Sequence, residues 1–120
     1  MKLKGMAVKE LDSSVGRCFD LSSETLGNDS PVLMIRIECG GNSTEISLVS
    51  RYEMGYEFET DESDSHRWEG TSVKQRVEMK DYLDSLLYKA HSYLMYCEHH
   101  QTIQNEWANK LCDQVLNFGK

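Results

Sequence analysis

From Thr71 to Phe118 the chain contains neither glycine nor proline. No other stretch of comparable length lacks a residue that ends or kinks a helix, and that limits what the C-terminal two-fifths can become. Within it, Leu83, Leu87, Ala90, Leu94 and Cys97 recur at spacings of four and three, and Tyr82, Leu86, Tyr93 and Tyr96 form a stripe beside them. Together they make a broad apolar face suited to lying across a sheet. Ile103, Trp107, Leu111, Val115 and Phe118 define a second amphipathic stretch, and Glu98-His99-His100-Gln101-Thr102 reads as the weak point or turn between the two. The expectation is one long helix or two. Ser72 with Gln75 three residues later fits a capping box at its start. A competing strand over Val73, Gln75, Val77 and Met79 is the less favoured reading of the same residues.

The preceding residues have the other periodicity. Val32 to Cys39 places Leu33, Ile35, Ile37 and Cys39 on one face at period two, and Gly40-Gly41-Asn42-Ser43 supplies a hairpin turn. Glu45 to Ser50 returns with Ile46 and Leu48 inward. Tyr52 to Thr60 alternates as clearly, with Tyr52, Met54, Tyr56 and Phe58 on one side and Glu53, Glu57 and Glu59 on the other, so it reads as a further strand with one solvated face. His66 to Glu69 fits a short strand, and Leu3, Met6 and Val8 a short opening one. The serine-rich Ser13-Ser14 and Ser22-Ser23 and the Gly27 to Pro31 run read as loops, with Phe19 and Leu21 tucking a loop onto the core. The fold class expected is α+β: one domain over residues 1–120, with an antiparallel meander of about four or five strands covered on one face by the C-terminal helices.

Charge narrows the function. The 120 residues hold 20 Asp and Glu against 13 Lys and Arg, a formal net charge of −7. An acidic balance argues against direct nucleic-acid binding, which needs clustered Lys and Arg, and against adhesion to an anionic membrane. The excess is local. Residues 31–71 carry three basic and nine acidic groups, whereas residues 72–120 carry six of each. Glu53, Glu57, Glu59, Asp61, Glu62 and Asp64 are expected to form one concentrated negative region on the sheet face and the loop that follows it. Such a surface suits a basic protein partner, because complementary charge speeds encounter and selects partners. On the helix surface away from the stripes, Tyr88 and Met95 are large for a solvated position and read as apolar contact residues, for a partner or for a homodimer.

Motifs for chemistry are sparse. There is no GxxxxGK[ST], GxGxxG or HExxH, and Asp61 to His66 lacks the ligand order of a calcium loop. Cys97 and His100, three apart on a helix, are a weak zinc pair that needs Cys112 folded back and His99 or His91 as a fourth ligand. Cys18, Cys39, Cys97 and Cys112 form no CxxC and read as reduced thiols. Glu78, Asp81 and Asp84 most simply complement the positive end of a helix. No catalytic residue, metal or cofactor is assigned. With no apolar leader and no long apolar run, a cytoplasmic location is expected.

These readings converge on a small acidic protein-binding inhibitor. Its partner would be a nuclease, a toxin or a nucleic-acid-binding complex, met by an immunity or antitoxin-type protein or by a phage-encoded inhibitor of host defence such as an anti-CRISPR. The alternatives are a homo-oligomeric accessory protein and, behind it, a small ligand-binding protein or enzyme.

Overall fold

A computed structural model describes residues 3–60 and 64–120. Five strands, β1 (Met6–Leu11), β2 (Arg17–Ser23), β3 (Val32–Gly40), β4 (Ser43–Tyr52) and β5 (Ser65–Glu69), precede one helix, α1 (Val73–Phe118). The sheet is an antiparallel meander in the order β1-β2-β3-β4-β5. The class is therefore α+β, and the C-terminal region is one helix of 46 residues.

Register decides which side chains α1 covers. Phe19 lies opposite Ile35, Leu21 opposite Leu33, Ile35 opposite Leu48, and Ile37 opposite Ile46, so these rows share the helix-facing side. Leu21, Leu33, Ile35, Ile46 and Leu48 are buried there, against Leu86, Ala90 and Leu94 of α1. Trp68 closes the β5 end of this core, its indole edge-on to Tyr82 at 5.4 Å and its Nε1–H donating to Glu78 at 3.3 Å.

The helix begins where its sequence signals it. Ser72 Oγ accepts from the Gln75 amide at 3.2 Å, and Gln75 Oε1 accepts from the Ser72 amide at 2.9 Å. This reciprocal cap satisfies two of the donors that a helix start leaves open, and it settles residues 73–79 as helix. From there α1 runs to the far end of the sheet. There Glu98 accepts from the Ser23 hydroxyl, and His91 Nε2 lies 2.8 Å from the Lys4 carbonyl.

Three expectations are corrected. Arg17–Ser23 is a strand and not a loop. Its serines fit because Ser23 is buried with its amide donating to Ser30 Oγ at 2.8 Å and its Oγ accepting from the Leu26 amide at 3.0 Å. The Glu98 to Thr102 stretch is no turn; α1 passes straight through it. The segment 53–60 is not a strand either. After Tyr52 the chain turns at Met54 (φ 50) and Gly55 (φ 84), and the Tyr56 amide donates to the Glu53 carbonyl at 2.8 Å. Two successive positive φ values make a tight primed turn, which lifts the segment out of the sheet and lays it against α1 as a strap.

Candidate functional site

The alternation holds from Glu53 to Glu59 but meets a helix instead of a neighbouring strand, and Tyr52, expected on the inner side, is exposed at the end of β4. Met54, Tyr56 and Phe58 are half-buried, while Glu53, Glu57 and Glu59 are exposed. The Tyr56 hydroxyl sits 3.3 Å from the Cys97 carbonyl and 3.1 Å from Gln101 Oε1. Phe58 meets Tyr93 edge-on at 5.0 Å, and the Lys89 ammonium lies 5.6 Å from the centre of the Phe58 ring. These contacts fix the inward side chains, and in an extended chain that fixes the outward ones. Glu57 and Glu59 are thereby held about 7 Å apart along the strap.

Asp64 is placed differently from what its neighbours in sequence imply. It is buried, with both carboxylate oxygens within 2.8 Å of Lys89 Nζ. A paired, buried carboxylate anchors the end of the strap and adds little to an outward negative field. Asp61 and Glu62 lie outside the described residues.

The open face of the sheet is not acidic. Register puts Lys9, Arg36, Arg51 and Arg67 on that face together with Asp20, Glu38, Glu45 and Glu69. Arg51 pairs with Asp20, Arg36 with Glu38 at 3.7 Å, and Arg67 with Glu69 at 2.9 Å. The expected acidic sheet face is therefore corrected: the sheet is compensated. Within the acidic segment 31–71, the described Glu53, Glu57 and Glu59 are exposed and have no ion-pair partner within 4 Å; Glu45 has none either, but it lies opposite Arg67 on the balanced sheet face.

The two apolar candidates separate. Tyr88 is 47% exposed and lines a groove of about 510 Å³ between β1 and α1, together with Leu3, Met6, Val8, Glu24, Asp84 and Leu87. Met95 is half-buried and packs on the core, so closely beneath Gly5 that a Cβ there would stand 3.4 Å from its Cε. It therefore supports the start of β1 and is not an exposed anchor.

The zinc constellation does not assemble. Cys97 is buried, and burial pushes its thiol up. His100 is stacked on Tyr96 and edge-on to Tyr56. Cys112 stands fifteen residues further along an unbroken helix, about 22 Å from Cys97. Among the described residues no three His, Cys, Asp or Glu side chains are grouped to hold a metal ion. No helix among them is long and apolar enough to cross a membrane.

A further surface emerges only when helix and sheet are seen together. Contacts with the sheet and strap end at Gln101, and every residue from Thr102 to Phe118 is exposed. Ile103 (50%), Trp107 (60%), Leu111 (45%), Val115 (72%) and Phe118 (94%) are open to solvent along this arm. Their periodicity was visible in the sequence; the missing counterpart was not. The chain matches no family model, no curated protein and no solved structure.

Proposed function

We propose that the protein is a non-enzymatic binding protein that docks a basic protein partner through the strap and covers the partner's working surface. The partner class is a nuclease, a toxin or a nucleic-acid-binding complex, and the role is that of an immunity or antitoxin-type protein or an inhibitor of host defence such as an anti-CRISPR. One observation carries the reading: Asp20, Glu38 and Glu69 of the sheet are paired with arginines, whereas Glu53, Glu57 and Glu59, exposed along one segment, have no ion-pair partner among the described residues. Unpaired carboxylates on a braced segment keep their field for an incoming cation and need little reordering on contact. A protein that binds nucleic acid offers a basic surface of the required kind, and the strap would compete there with phosphate.

The test is affinity capture from the native cell with the full chain and with a Glu53→Lys, Glu57→Lys, Glu59→Lys variant. The expected result is a basic nucleic-acid-handling protein that is retained by the parent chain, displaced by added nucleic acid or salt, and lost with the variant. Retention of the same partner by the variant would defeat the reading. A Glu38→Lys, Glu45→Lys variant serves as the control, since it changes the compensated face and should leave capture intact.

A further inference from the structure

The arm needs a second surface. Helices in proteins take most of their stability from packing an apolar face, and an isolated stretch of this length is marginal in water. Residues 102–118 form about 25 Å of helix that touches neither sheet nor strap, and the longest dimension of the molecule is 73 Å against 26 and 25 Å for the others. Yet the arm has the composition of a packed helix. Ile103, Trp107, Leu111, Val115 and Phe118 fall on one side, spaced four, four, four and three apart.

We infer that this stripe is a homodimer interface, in which the arms of two copies of the chain pack antiparallel around a two-fold axis near Leu111. Three observations select a second copy. The first is area. Each exposed aromatic brings about 150–250 Å², so the stripe offers on the order of 500–600 Å² of apolar surface per copy. Two copies would bury roughly 1,000–1,200 Å², which reaches the lower range of specific interfaces. The second is charge. Between Thr102 and Phe118 only Glu106, Lys110 and Asp113 are charged, and the borders of the stripe are amides such as Gln104, Gln114 and Asn117. An almost neutral surface does not repel its own copy, and it offers little to the basic partner that the strap suits. The third is the pattern. An isologous pair needs a surface complementary to itself, and a two-fold axis at Leu111 sets Trp107 against Val115 of the other copy and Leu111 against its own equivalent.

Direction follows from the strap. Tyr56 ties the strap to Cys97 and Gln101, so Glu53, Glu57 and Glu59 stand at the root of the arm. A parallel pair would bring two unpaired acidic straps to the same end. An antiparallel pair puts them at opposite ends and also opposes the two helix dipoles. The dimer thus presents one strap at each end. Dimerisation does not depend on the strap's having a partner, and the two proposals can fail separately.

The experiment is sedimentation equilibrium of the full chain between about 1 and 300 μM, the range in which an interface of this size should associate. The parent chain should move from monomer to dimer, and Trp107→Asp with Leu111→Asp should weaken association by at least about 100-fold. Both positions lie outside the packed core, so the variant should keep the parent's near-ultraviolet dichroism from Tyr82, Tyr93 and Trp68. A parent chain that stays monomeric throughout, or a dimer that survives the double substitution, would overturn the proposal. Spin labels at His99→Cys, in a background with Cys39 and Cys112 replaced by serine, report direction. Antiparallel arms separate the labels by about 36 Å along the axis, and a separation near that of two adjacent helices would overturn the antiparallel arrangement.

Discussion

The two parts of α1, residues 73–101 and 102–118, share one unbroken backbone and nearly the same density of apolar residues, but their surroundings differ completely. Between Leu86 and Cys97 the apolar side is closed by sheet and strap, and Leu86, Ala90, Leu94 and Cys97 are at most 2% exposed. Between Ile103 and Phe118 the same kind of stripe meets only water. Amphipathic periodicity therefore states that a face is to be covered without stating by what. In the first part the cover lies within the chain; in the second we place it on another copy.

The largest test of this contrast is a matched pair of truncations. Leu94→Ala empties a fully buried site and should destabilise the protein by about 2–5 kcal/mol in urea unfolding. Leu111→Ala, measured below 1 μM where the monomer is expected, should change stability by no more than about 0.5 kcal/mol. Equal losses at the two sites would break the comparison, because Leu111 would then have a partner within its own chain. Smaller, and confined to the first part, is the effect of Ser72→Ala. It removes the oxygen that accepts from the Gln75 amide and should cost about 1 kcal/mol. The same loss should appear in dilute and concentrated samples, since the cap is far from the arm. A loss that grew with concentration would mean that the start of the helix also takes part in assembly.

How far the sequence could be read depended on whether local pattern and tertiary context agreed. The β3–β4 hairpin, β5 and the capping box are legible because period two, the paired glycines and the Ser72/Gln75 spacing each act within a few residues. Strand β2 is not, because the burial of Ser23 depends on Ser30 and Glu98, which no local pattern reveals. For the strap, alternation marks the inner side chains Met54, Tyr56 and Phe58, though not Tyr52, and leaves the element undetermined. An extended segment alternates in the same way whether its inner side meets a strand or a helix, and only the turn at Met54-Gly55 distinguishes them. Charge had a similar limit. The excess lies between residues 31 and 71 in the sequence, but which carboxylates are paired depends on the tertiary fold. Asp64 is neutralised by Lys89 from α1, twenty-five residues away, and Arg51 of β4 answers Asp20 of β2 across the sheet. What remains is a narrower acidic site than the sequence suggests, and an arm whose exposure no periodicity could disclose.

The most direct measurement of the central claim is amide hydrogen exchange along α1 at two protein concentrations, one below and one above the self-association midpoint. If the helix is completed by its own sheet in one part and by a second copy in the other, amides from Leu86 to Cys97 exchange slowly at both concentrations. Amides from Ile103 to Val115 exchange quickly when dilute and become protected when concentrated. Protection of Ile103 to Val115 that is as strong as that of Leu86 to Cys97, and independent of concentration, would contradict the account.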